Sequence, residues 1–334
     1  MKVIRNLETD GNICTPTCSI LSMIKDNENM LFYKEHNLRH PLGICNVSES
    51  RFFNAYQDLI NFLGNQQDIE KYKKDDKLFI KTKEVIESFV AYIDDIYLIY
   101  KCFYPKALVS KQITFADRWL DKAGCNEVNN FKNAIISFAK PMIKVDDFIK
   151  HNHGRIIQIR FVTPYKGSAY GFFIAGMSDE NALIPNENIH PKYKGMATAF
   201  SYNRFLLELL SNFYFISYYA ERSIKRILYK LFTYKTSTDY ICIDSSKIIK
   251  IINELNHTLT KILFEDEYEK CSQVEFNDKT LIIKSPADKS YIKKQFENYS
   301  SVKIEMISSG DGLTSKWKVP YIGDEGADIP QKRV

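Results

Sequence analysis

One stretch constrains this chain more than any other. From about Thr198 to Phe232 the residues read as a single long helix, and its first half, through Phe205, Leu206, Leu209, Leu210, Phe213, Tyr214 and Ile216, is apolar almost all round. A helix without a polar face has to be enclosed, so the rest of the chain is expected to wrap it. A membrane could also enclose it, but Glu208, Ser211, Asn212 and Ser217 interrupt Phe205–Tyr219. The segment also falls short of the ~20 residues that a span needs. A buried core helix is the expectation.

Further helices supply the walls. Phe52, Phe53, Tyr56, Leu59, Ile60 and Leu63 recur on one face of a helix beginning at Arg51, with Gly64-Asn65 as its stop. A charged linker, Glu70 to Lys77, leads into a helix over Lys77–Tyr104, whose stripe runs from Ile86 to Phe103 and which Pro105 ends. Shorter helices fit Ser19–Lys25, Thr114–Lys122, Glu127–Lys140 (kinked or stopped at Pro141), Met142–Lys150 and Ser245–Phe264. His40-Pro41-Leu42-Gly43 has turn chemistry. The 21 Tyr and 22 Phe imply an aromatic core, and only 13 Gly and 10 Pro argue against a loop-rich all-β fold.

The periodicity changes twice. Arg155–Val162 and Ala169–Ala175 are β-branched, partly alternating runs around a turn at Pro164–Ser168, which predicts a β-hairpin. A loop through Pro185 and Pro191 follows it. Near the C-terminus, Gln273–Phe276, Thr280–Lys284, Asp288–Tyr299, Val302–Ile307 and Lys316–Tyr321 read as strand, strand, helix, strand and strand. The fold class is therefore mainly α with a β-hairpin insertion, a helical bundle followed by a small C-terminal α/β (ββαββ) module. The organisation reads as an N-terminal extension (1–50), a helical bundle (51–266) with the hairpin at about 155–175, a small α/β domain (267–323) and a mobile tail (324–334).

Charge and cysteine usage bound the setting. A formal net charge of +5 is too small for this length to be a nucleic-acid signature unless it is clustered. Seven scattered Cys suggest reduced thiols in a cytoplasmic protein, and Met1–Glu8 lacks the apolar run of a signal peptide.

Three clusters carry candidate chemistry. Arg222, Arg226 and Lys230 fall at i, i+4 and i+8 with Tyr229 interleaved, a stripe that could follow a phosphate backbone or simply be a solvated helix face. His151-Asn152-His153-Gly154-Arg155 gathers imidazoles and a guanidinium that could perform acid–base work or hold phosphate; it could equally be the cationic end of a helix. Cys14 and Cys18, with His36, His40 and then Cys45, have tolerable spacing for zinc, but buried thiols and a loop-capping His pair fit as well. The adjacent carboxylates Asp94-Asp95 and Asp146-Asp147 point apart on a helix and make poor metal dyads. There is no phosphate-binding Gly-rich loop, no Gly-x-Ser-x-Gly and no His-Glu-x-x-His. No cofactor is expected.

The helical section with Lys150 to His153 ahead of a hairpin and a long closing helix, over about Arg51 to Phe232, resembles the HEPN-like helical-bundle proteins of prokaryotic defence and toxin systems. Several members are ribonucleases carrying an Arg followed four to six residues later by a His. None of the six His here has an Arg at that spacing; Lys144 stands ahead of His151 instead. The resemblance thus implies a binding or scaffold role in such a system. The leading expectation is a non-catalytic interaction protein binding RNA, DNA or a protein partner, without a membrane. His151, His153, Arg155, Arg222, Arg226 and Lys230 are the expected phosphate contacts. The alternatives are a metal-independent ribonuclease using His151 and His153 as acid and base, and a structural subunit of an oligomer or larger assembly.

Overall fold

A computed structural model describes residues 3–8, 15–64, 77–151, 154–163, 167–177, 183–236, 250–251, 254, 264–267, 273–277, 280–284, 303–307, 318–319 and 327–328. Among these, six α-helices form the bulk of the fold: α1 (Pro16–Met23), α2 (Pro41–Gly64), α3 (Lys77–Lys101), α4 (Ala116–Lys122), α5 (Asn126–His151) and α6 (Tyr202–Phe232). The principal strands are β1 (Val3–Glu8), β2 (Arg155–Thr163), β3 (Gly167–Met177) and β4 (Leu183–Pro185). Short β5 (Lys192–Tyr193), β6 (Met196–Ala197) and β7 (Phe200–Ser201) follow, then β8 (Gln273–Asn277), β9 (Thr280–Lys284), β10 (Lys303–Ile307), β11 (Lys318–Val319) and β12 (Ala327–Asp328). The protein is mainly helical with small antiparallel sheets, as the periodicity predicts.

α6 is the enclosed centre. Phe213 stacks on Phe52 of α2 at 4.3 Å and meets Tyr92 of α3 at 4.2 Å. Three tyrosines bury their rings and direct their hydroxyls at polar groups near this axis. Tyr56 donates to the Leu206 carbonyl (2.8 Å), Tyr100 to that of Ala220 (3.5 Å), and Tyr202 shares a hydrogen with Thr82 (2.7 Å). Such contacts let a Tyr-rich core be apolar in its body and satisfied at its tips. α1 crosses α6 where both are small: the Thr17 amide donates to Ser217 Oγ (3.0 Å), and Thr17 Oγ1 donates to the Ser217 carbonyl (2.9 Å). The first fifty residues thus contribute directly to the core.

Several boundaries differ from expectation. α2 begins at Pro41, ten residues before Arg51. Pro is favoured at the first helical position, and the Leu42 amide donates to His40 Nδ1 (3.2 Å) at this start. α5 runs unbroken through Pro141, whose exposed side leaves the freed carbonyl open to water, while Ile135, Ala139, Met142, Val145 and Ile149 keep one buried stripe in phase. α6 starts at Tyr202, capped by Ser201 Oγ accepting from the Arg204 amide (3.3 Å). It ends at Thr233, left-handed at φ 56°, with the Thr233 and Tyr234 amides donating to the Tyr229 and Leu228 carbonyls.

The predicted hairpin is present. β2 and β3 pair from Arg155↔Ala175 to Thr163↔Gly167; the loop expected after it contains β4 and β5, β6 follows it, and β7 occupies Phe200–Ser201, within the expected range of the long helix. Gly154 makes the sharp exit from α5: a Cβ there would lie 2.2 Å from the Phe148 ring. The C-terminal strands divide between two sheets. β10 adds to the hairpin in the order β10-β2-β3-β4, with β7 also pairing β3, whereas β8 and β9 form a sheet with β1 in the order β1-β9-β8. β11, in the stretch expected as the last strand of the module, pairs β12 in the expected tail. Of the helix expected over Ser245–Phe264, Lys250, Ile251 and Glu254 are described and helical; the helix expected over Asp288–Tyr299 lies outside the described residues.

Candidate functional site

The late half of α6 is amphipathic: Ile224, Ile227 and Leu228 stay in the core while Arg222, Arg226 and Lys230 face outward, and α5 packs against it. Ser223 Oγ donates to the Glu127 carbonyl (2.9 Å), bringing the first turn of α5 onto the stripe. There the Glu127 carboxylate, 6% exposed, accepts from Lys230 Nζ at 2.6 Å and lies 3.8 Å from Arg226 Nη1. Its partners remain in solvent, with side chains 53% exposed for Arg226 and 62% for Lys230. Tyr229 between them is 58% exposed. One turn earlier, Lys225 pairs with Glu221 (2.9 Å), and the Arg222 guanidinium lies over the Tyr218 ring (5.4 Å) while donating to its hydroxyl (3.1 Å). Four cations against two carboxylates leave this surface a net +2. Glu127 was not singled out in the sequence, because its relation to the stripe depends on packing between distant helices.

The imidazole cluster is elsewhere. His151 is exposed at the C-terminal end of α5, Arg155 is half-buried at the start of β2, and Asn152 and His153 lie outside the described residues. Twenty-four residues of α5 separate Glu127 from His151, about 36 Å at the helical rise. The expected phosphate contacts therefore fall into two separate groups rather than one surface. Lys144 does not approach as a free cation: its Nζ donates to the Asn188 carbonyl at 2.6 Å.

The cysteine and histidine pairs also part. Cys14 lies outside the described residues. His36 Nε2 engages the Tyr104 carbonyl (2.8 Å) with its ring edge-on to Trp119, and His40 caps α2 beside Tyr33. Burial lowers the pKa of both. What meets Cys18 of α1 is Cys45 and Glu49 of α2, one turn apart on the same face. All three are buried, with a donor atom of each within 4.8 Å of the others. Cys45 Sγ donates to Glu49 Oε1 (3.2 Å), the Thr15 hydroxyl donates to the same oxygen, and Cys18 Sγ donates to Asn46 Oδ1 (3.2 Å). Burial pushes the Glu49 carboxyl up to about 7 and the Cys45 thiol well above its ordinary value. The i, i+4 spacing of Cys45 and Glu49 was the available signal for this cluster.

Two further buried titratable groups hold structure. Glu267 accepts from the Ser201 amide (2.8 Å), Ser201 Oγ (2.5 Å) and the Phe264 amide (3.0 Å), fixing the start of α6, and burial pushes it up to about 8. His190 Nε2 accepts from the Ile174 amide (2.8 Å), and burial pushes it down to about 3. Among the described residues no helix is long and apolar enough to cross a membrane. Compared with protein families, curated proteins and solved structures, the chain has no significant match in any of the three.

Proposed function

We propose that the chain is a non-catalytic interaction protein that binds nucleic acid through the late half of α6. The observation that carries this reading is the grouping of exposed Arg226 and Lys230 around a single buried carboxylate, with the exposed Tyr229 ring between them. Cations of this kind suit a phosphate backbone, and an exposed aromatic ring offers a base a stacking surface without requiring sequence. Arg222 over Tyr218 extends the same combination by one turn. Because Glu127 and Glu221 offset part of the charge, binding is expected to be moderate and steeply salt-dependent. The HEPN-like resemblance adds a setting, prokaryotic antiviral defence or a toxin system.

The test is fluorescence anisotropy with labelled single-stranded RNA and duplex DNA at low and moderate salt, comparing the wild type with an Arg222→Ala, Arg226→Ala, Lys230→Ala triple variant. Loss of binding in a folded triple variant supports the proposal; unchanged affinity refutes it. Cleavage of the same RNA, abolished by His151→Ala or His153→Ala with binding intact, would replace it with the ribonuclease reading. A structural-subunit reading has one observation of its own: Leu231 as well as Tyr229 is exposed in the last turns of α6. It requires a stable oligomer by light scattering and no affinity for nucleic acid at low salt.

A further inference from the structure

We infer that Cys18, Cys45 and Glu49 form a structural metal site for a thiophilic divalent ion, of which zinc is the reference case, at the junction of α1 and α2. The donor set is the first argument. Two thiols and a carboxylate gather their donor atoms within 4.8 Å of one another, and the Cys45 Sγ–Glu49 Oε1 separation of 3.2 Å is close to the ~3.5 Å edge of a tetrahedron with Zn–S of about 2.3 Å and Zn–O of about 2.0–2.2 Å. Two soft sulfur donors favour zinc over magnesium or calcium, which take oxygen shells.

The second argument is independent of spacing. Glu49 is a buried carboxyl group whose hydrogen-bond partners are a hydroxyl and a thiol, Thr15 and Cys45, with no Lys or Arg paired to it among the described residues. Burying an acid without a cation is costly, and a metal ion removes that cost. On binding, Cys18 and Cys45 each give up a thiol proton and the Glu49 carboxylic acid gives up its own. Two thiolates and one carboxylate then face a dipositive ion, leaving a single negative charge. That charge lies beside the first turn of α1, where Thr15 Oγ1 also accepts from the Cys18 amide (3.2 Å), and a helix N-terminus stabilises negative charge. A fourth position remains, beside which lie Thr15 Oγ1, hydrogen-bonded to Glu49, and Asn46 Oδ1, hydrogen-bonded to Cys18. With an oxygen closing the site in this buried setting the ion is structural, locks α1 to α2, and enters as the chain folds. This inference does not depend on the nucleic-acid reading.

The experiment measures metal in the full chain, purified without chelators, by mass spectrometry, and then after unfolding with chelator and refolding with zinc or cobalt(II). About one ion per chain is expected, together with a near-ultraviolet thiolate-to-cobalt charge-transfer band. Cys18→Ser and Cys45→Ser should each reduce that band. Glu49→Gln should keep it but release metal to a competing chelator at least about tenfold more readily. Should the serine variants fail to fold, the wild-type cobalt spectrum and Glu49→Gln decide the matter. The inference is overturned by a folded chain with no metal above background after refolding in excess zinc and no thiolate band with cobalt. It is equally overturned by folded Cys18→Ser and Cys45→Ser variants that retain the full band.

Discussion

Replacing Glu127 by Gln separates a nucleic-acid surface from a merely structural ion cluster, because the two give different outcomes. The substitution keeps the side-chain volume and removes the carboxylate that Lys230 contacts at 2.6 Å and Arg226 approaches at 3.8 Å. A phosphate seated on those cations would lie on the order of 6 Å from the Glu127 carboxylate. Repulsion between unit charges at that distance is about 0.7 kcal/mol in a water-like dielectric. Removing it should tighten binding about threefold at low ionic strength, since 1.4 kcal/mol is a factor of ten. The gain should shrink near physiological salt, where the screening length is about 8 Å. Release of the two cations should also steepen the salt dependence, by up to about one in the slope of log K against log salt. The cost to folding is small. Losing a negative charge in the first turn of α5 costs about 0.3–1 kcal/mol, and pairs with partners this exposed contribute about 0–1 kcal/mol. The assay is anisotropy titration of wild type and Glu127→Gln at several salt concentrations, with urea denaturation as the folding control. Unchanged or weaker binding by a folded Glu127→Gln protein would refute the reasoning.

Three further outcomes test the fold. Phe213→Ala should cost about 3–5 kcal/mol, because the ring is fully buried between Phe52, Phe53 and Tyr92; a loss below about 1 kcal/mol in urea denaturation would contradict its central place. Thr233→Gly should stabilise by about 0.5–1 kcal/mol, since a β-branched residue holds a left-handed φ of 56° there; a lower melting temperature would count against strain at that cap. His190 is held neutral, its pKa depressed to about 3 from an ordinary 6.5, so its contribution is complete above pH 6.5 and is lost as pH falls towards 3. The limiting slope is about 1.4 kcal/mol per pH unit. His190→Gln, which keeps an acceptor for the Ile174 amide, should show a shallower loss between pH 6.5 and 4.5 than the wild type, and parallel curves would exclude the assignment.

The helices that could be read in the sequence are those whose buried stripe is apolar. α3 and α6 lie close to their expected ranges because Ile86, Phe89, Ile93, Phe205, Leu209 and Phe213 announce their faces unaided. α2 is misplaced at its start because, after Ile44 and Cys45, its buried face continues through Ser48 and Glu49, residues that periodicity counts as solvent-facing. The break assumed at Pro141 overrates the local cost of proline on an exposed face, where tertiary packing maintains the helix. Sheet partners were not legible either: β10 joins β2 across more than a hundred residues of chain, and local alternation carries no information about which distant edge a strand will meet. The candidate sites follow the same rule. The i, i+4 stripe on α6 is local and legible, and Cys18 and Cys45 stand together among the zinc candidates; Glu127 and Glu49 join their clusters through helix–helix contacts, which local pattern does not show.

The central helix links these observations. Its N-terminal half is held on several sides, by α2 and α3 through Phe213, by α1 through Ser217, and at its cap by Glu267. Its C-terminal half is held by α5 through Ser223 and, at Ala220, by Tyr100 of α3. A helix so anchored presents Arg222, Arg226 and Lys230 at a fixed rise of about 6 Å from one to the next, on a backbone whose order is set by the core. Little backbone entropy then remains to be lost when a ligand binds, so side-chain ordering and counterion release should dominate the thermodynamics. Loosening the core should therefore weaken binding less than removing the cations. Phe213→Ala, if it remains folded at low temperature, should bind nearly as well as wild type, whereas the triple alanine variant should not. A Phe213→Ala protein that is folded but binding-deficient would instead place the interaction on a surface built jointly by α6 and the helices around it.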